Sequence, residues 1–181
     1  MADKETPYGK PTTTSIVGAY DWGVLGHVVD VGGGDGTLLI ALLREYPALR
    51  GTVVDMPTTA ELARKRLGAA GLAGRGKAVA GDLFGTLPSG AEGYLLCSVL
   101  HQWTDDQART ILRNCATAVA EDGAVFVIET DRFVDGLTDG LADGGRTRDV
   151  AELTALAESV DLVVAAVHTA GEIAILELAL P

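Results

Sequence analysis

The stretch "HVVDVGGGDGTLL", residues 27–39, sets four glycines and two aspartates directly behind a β-branched run. The run reads as a short strand over 27–31, and "TLL" opens a helical pattern over 36–46. Glycine is needed where φ is positive or where a ligand must come close to the backbone. The spacing is Gly32-x-Gly34-x-Gly36. The dinucleotide fingerprint G-x-G-x-x-G would require glycine where Thr37 stands, and no lysine follows in the P-loop arrangement. Asp30 lies just ahead of the glycines, where a carboxylate repels a pyrophosphate and accepts from a cationic amine. The loop therefore favours a ligand with a positive end and no phosphates, and S-adenosylmethionine has both properties.

Outward from this loop, apolar runs alternate with amphipathic ones. Strands are predicted at 27–31, 51–55, 76–80, 93–98, 123–129, 160–168 and 172–179, with helices at 36–46, 58–70, 104–121 and 148–159. Thr58 with Glu61 and Thr104 with Gln107 read as capping boxes. Short apolar strands alternating with helices imply an α/β fold, a doubly wound, mostly parallel seven-stranded sheet covered on both faces. Only "TAG" (169–171) links the last two strands, so they should close the sheet as an antiparallel hairpin. Residues 1–19 read as a short N-terminal lead-in and 20–181 as one domain. Asp131, Asp135, Asp139 and Asp143 form a four-residue repeat whose spacing is not that of an EF-hand loop, and the default is a solvated connection.

Bulk properties narrow the partners. The 181 residues, 48% apolar, suffice for one core. A net charge of −11 from 25 acidic and 14 basic residues argues against nucleic acid and against anionic membrane surfaces. No apolar run approaches the roughly 18 residues of a membrane span, and "MADKETPYGKPTTTS" is neither signal nor transit peptide. A cytoplasmic location is expected. Cys97 and Cys115 sit in apolar segments without metal-ligand spacing, so no metal is expected.

Ligands of open α/β sheets sit outside the carboxyl ends of the strands. Asp55 ends the second predicted strand, 19 residues after Gly36, where a carboxylate could accept from both hydroxyls of a ribose. The third strand leads to "GDLF", so Asp82 could meet an adenine amino group while Leu83 and Phe84 face the ring. His101 lies just beyond the fourth strand and Glu129 closes the fifth.

"VVDVGGGDGTLL", "VVDMP", "GDLF", "LHQW" followed by an acidic pair, and "GAVFVIE" together resemble the S-adenosylmethionine-dependent O-methyltransferases of plant small-molecule and bacterial natural-product pathways, from about Tyr20 onward. The resemblance implies a Rossmann-like class I methyltransferase fold, with S-adenosylmethionine as methyl donor and S-adenosylhomocysteine as product. It implies that Asp30, Gly32, Gly34, Asp55, Met56, Asp82, Leu83, Phe84, Ser98 and Trp103 form the cofactor site. Trp103 alone would also read as a packing residue. His101 would be the general base toward a hydroxylated small molecule, aromatic or polyketide-like, and Glu129 would orient it. Methyltransferases acting on exocyclic amines commonly carry an Asn/Asp-Pro-Pro-aromatic stretch where this chain has "CSVLHQW", so oxygen is the expected acceptor. Asp105 and Asp106 read as structural acids in the first turn of a helix.

Members of that family carry a helical dimerisation domain ahead of the first strand and substrate-facing elements after the Glu129 position. Here "TPYGKPTTTSIVGAYDW" stands for the former, and the aspartate repeat with "GGRTRD" for the latter. A minimal or truncated cofactor-binding core with little or no turnover is therefore the alternative to an active enzyme. With its roof missing and a mean hydropathy of +0.25, the domain is expected to self-associate.

Overall fold

A computed structural model describes residues 13–130 and 144–181; the aspartate repeat, Asp131 to Asp143, lies outside them. The strands are β1 (His27–Val31), β2 (Arg50–Asp55), β3 (Gly76–Ala80), β4 (Gly93–Cys97), β5 (Ala124–Thr130), β6 (Val163–Ala170) and β7 (Ile173–Ala179). They form one sheet in the order β3-β2-β1-β4-β5-β7-β6. Pairing is parallel from β3 to β5, and β7 runs antiparallel to both β5 and β6. The expected doubly wound sheet with a terminal hairpin is the observed fold.

Helices α1 (Thr13–Ala19), α2 (Thr37–Glu45) and α3 (Pro57–Ala69) cover one face, and α4 (Asp105–Ala118) and α5 (Val150–Glu158) the other. Central strands bury side chains on both faces, as Val28, Val29 and Val31 do on β1, which is why they read as continuous apolar runs. Strand order reverses at β1, between β2 and β4. The crevice beyond the carboxyl ends of β1 and β4 is the place where such sheets bind ligands, and both the glycine loop and the His101 turn open there.

Several boundaries differ from expectation for identifiable reasons. The lead-in contains α1, whose polar, threonine-rich sequence carries little periodicity. It is held by tertiary contacts: the Tyr46 hydroxyl donates to the carbonyls of Val17 and Tyr20, and the fully buried Trp22 donates to Ile16 O at 2.9 Å. The capping box at Thr58 does not form. Pro57 occupies the first helical position, so Met56 is the N-cap without a side-chain bond, and Glu61 pairs with Arg64 and Lys65 instead. At Thr104 the box with Gln107 is present, and Asp149 forms a second, unanticipated one with Glu152. Helix α4 stops at Ala118, where Val119 turns extended. Strand β6 starts at Val163 because Val160 and Leu162 pack into the core around Asp161, which takes φ 62°. His27 and His168, unassigned from sequence, contact Thr52 and Glu177 at 2.9 Å. Among the described residues no helix is long and apolar enough to cross a membrane.

Candidate active site

The turn after β1 is shaped by its side-chain neighbours. Gly32, Gly34 and Gly36 have φ of +69°, +60° and +82°, a region most L-residues avoid. Gly33 is required for a different reason: a Cβ there would lie 2.6 Å from the Asp30 carboxyl. A Cβ on Gly34, by contrast, would meet nothing within 4 Å, so the loop presents open space above that backbone.

Asp55, at the end of β2, accepts from Gly34 N–H at 2.9 Å through one oxygen and from Met56 N–H at 2.7 Å through the other. It thus holds the loop and still has lone pairs to offer. Asp82 accepts from Phe84 N–H at 2.9 Å through one oxygen, a local turn that turns Phe84 outward. The rings of Phe84 and Trp103 meet edge to face, centroids 4.9 Å apart.

These groups enclose a cavity of about 320 Å³ lined by Gly32, Asp55, Met56, Gly81, Asp82, Leu83, Phe84, Val99, Gln102 and Trp103, large enough for a small organic ligand. Seven of the sequence-predicted cofactor residues therefore share one cavity. Asp30, Gly34 and Ser98 do not line it. Asp30 lies beneath the loop, 1% exposed, and Ser98 is the left-handed step (φ 56°) by which the chain leaves β4. Gly81, Val99 and Gln102 had no sequence signal beyond adjacency to predicted site residues.

Two buried polar atoms here lack a partner: Asp30 Oδ2 and Trp103 Nε1. Burial, reinforced by the neighbouring Asp55 carboxylate, pushes the Asp30 carboxyl up to about 7. Orphaned buried groups of this kind are costly to the fold.

His101 sits in the 3₁₀ turn Leu100–Gln102, between cavity-lining Val99 and Gln102 but not itself lining the cavity. Its Nδ1 is 3.1 Å from Glu129 Oε2, and its backbone N–H donates to Glu129 Oε1 at 3.4 Å. Glu129 is 7% exposed. A carboxylate cannot donate, so Nδ1 carries the proton of this hydrogen bond. The neutral ring then has its basic lone pair at Nε2. Among the described residues no cluster of His, Cys, Asp and Glu is suited to a metal ion.

The O-methyltransferase domain family matches residues 10–159. A 2,7-dihydroxy-5-methyl-1-naphthoate 7-O-methyltransferase of Streptomyces carzinostaticus is 44% identical over 91% of this chain and 52% of its own length. The aclacinomycin 10-hydroxylase of Streptomyces purpurascens is 39% identical over 93% of this chain and 47% of its own. An O-methyltransferase of neocarzinostatin biosynthesis, solved with S-adenosyl-L-homocysteine and 1,4-dihydroxy-2-naphthoic acid, superposes with a TM-score of 0.87 at 43% identity, over 93% of this chain and 53% of that one. The chain spans about half the length of the curated relatives it matches.

Proposed function

The chain belongs to the O-methyltransferase domain family, and on that premise we propose that it binds S-adenosylmethionine and directs methyl transfer to a hydroxyl of a small aromatic or polyketide-like natural product. The observation that carries this reading is the His101–Glu129 pair, 3.1 Å apart, on the rim of an acidic, aromatic-walled cavity at the sheet's switch point.

The cavity fits the donor. Asp55 and Asp82 offer acceptors to ribose and adenine, Leu83, Phe84 and Trp103 offer an apolar wall, and Asp30 lies buried beneath the glycine loop with one oxygen unpartnered. S-adenosylmethionine supplies an electrophilic methyl group when bound. The acceptor hydroxyl must lose its proton as its oxygen attacks, and His101 Nε2 is the base for that proton. Glu129, held on β5, fixes the ring's tautomer and stabilises the imidazolium that results. Relatives that act on naphthoates support an aromatic acceptor, while the hydroxylase among them makes the reaction, rather than cofactor binding, the point to test.

Calorimetry with S-adenosylmethionine, S-adenosylhomocysteine, NAD and ATP, followed by a methylation screen over hydroxylated naphthoates and other phenols, tests the reading. Binding of the first two and formation of a methyl ether are expected. Cofactor binding with no methylated product from any acceptor would leave a cofactor-binding core instead. Asp55→Ala should weaken S-adenosylmethionine binding by about 1–3 kcal/mol, the scale for losing hydrogen bonds to a charged group. The Gly34 N–H that it also frees should push the loss toward the upper end, and unchanged affinity would show that Asp55 does not meet the ribose.

A further inference from the structure

We propose that Arg148 is a positioning residue for His101, acting through the backbone of the turn that carries the base. The proposal rests on His101 being the base of the reaction above. Arg148 has its side chain 2% exposed and spends its guanidinium on that turn. Nη1 donates to Leu100 O at 2.8 Å and Nη2 to Trp103 O at 2.9 Å, carbonyls that bracket His101 and Gln102. Nε and Nη2 converge on Asp105 Oδ1 at 2.9 and 2.7 Å, tying the turn to the start of α4.

The approach is close because Gly145 permits it. A Cβ there would lie 2.7 Å from Gln102 O and 2.9 Å from His101 O. The "GGRTR" segment thus runs against the backbone of the His101 turn, while Glu129 holds the imidazole. A three-residue 3₁₀ turn has poor internal hydrogen-bond geometry, and this one has no side-chain cap. Its orientation is set from outside. The planar fork of arginine can satisfy two carbonyls and a carboxylate at once, which a lysine ammonium cannot match. On this proposal "GGRTRD" is a brace for the base.

Arg148→Met keeps the aliphatic bulk and removes the fork. Its kcat for methyl transfer should fall by about 10–100-fold, by analogy with the groups that orient metal-bound histidines, with the Kd for S-adenosylmethionine within about twofold. In a His101→Ala background the same substitution should cost less than about twofold, because a residue that acts through the base has nothing left to position. Spectra of ¹⁵N-histidine-labelled protein should show the His101 ring leaving its single Nδ1–H tautomer in the Arg148→Met variant. Equal losses in both backgrounds, or unchanged ring signals with kcat within twofold, would overturn the brace. If Arg148→Met does not fold, Asp105→Asn decides: a kcat reduced by threefold or more at constant cofactor affinity supports the proposal, and an unchanged kcat overturns it. Should the parent methylate no acceptor, the O-methyltransferase reading fails, while the ring spectra still decide the role of Arg148.

Discussion

On the proposed methyl transfer, His101→Ala should lower the rate by about two to four orders of magnitude, the span for a lost general base, with S-adenosylmethionine affinity nearly intact. The side chain does not line the cavity, and its backbone N–H to Glu129 survives the substitution, so neither the cavity nor the local turn is removed with the imidazole. Glu129→Gln should cost less. An amide oxygen can still accept from Nδ1–H but stabilises the imidazolium poorly, so orientation persists while charge compensation is lost. Single-turnover kinetics on a hydroxylated naphthoate would measure both. A rate within a few-fold of the parent in His101→Ala would leave alignment of acceptor and methyl group as the source of catalysis.

The second large effect concerns Asp30. Its carboxyl is raised from 3.8 to about 7 in the folded chain, first by burial and second by Asp55. The folded state therefore binds a proton that the unfolded state has released between those two values. Stability from this group is complete below about pH 4 and is lost as pH rises toward 7, a change of about 4 kcal/mol at most. Thermal unfolding without cofactor should thus show a melting temperature that falls from pH 4 to 7.5. Asp30→Asn should remove most of that slope and be the more stable protein at pH 7.5. A cation bound above the glycine loop would favour ionised Asp30 beneath it, so saturating S-adenosylmethionine should flatten the parent's slope and release protons on binding near pH 6. Parallel slopes for parent and Asp30→Asn would show that Asp30 carries no such burden.

What could be read from the chain followed the range of the interactions involved. The glycine loop, Asp55 and Asp82 stand at strand ends, and strand ends are visible in local apolar periodicity. The family resemblance pairs His101 with Glu129, and the register of Cys97 with Ile128 brings the ends of β4 and β5 together. Arg148 escaped because its partners Leu100, Trp103 and Asp105 lie more than forty residues earlier in the chain, a contact no local pattern encodes. Asp105 reads as a dipole-complementing acid in the first turn of α4, yet it chiefly receives Arg148, whose hydrogen bond is the main cause holding its carboxyl below the ordinary range. Thr58 misled because a generic capping pattern was outweighed by the adjacent proline. Trp103 reads both as packing and as cofactor-lining; its ring packs against Phe84, and the residue lines the cavity.

The insertion of β7 between β5 and β6 sets an order of events in folding. Glu129 pairs across the sheet with Ala174, and the β5–β7 register spans roughly forty to fifty-five residues of intervening chain. That pairing requires closure of a long loop before any contact repays it, the slow class of step in α/β topologies. Helices and the β1–β2–β3 units can form from nearby segments, whereas the strand that bears Glu129 gains its second flank only when the hairpin docks. Refolding chains should therefore regain helical circular dichroism before the sheet is complete, with the interval set by the long-range pairings of β5 with β7 and of β1 with β4.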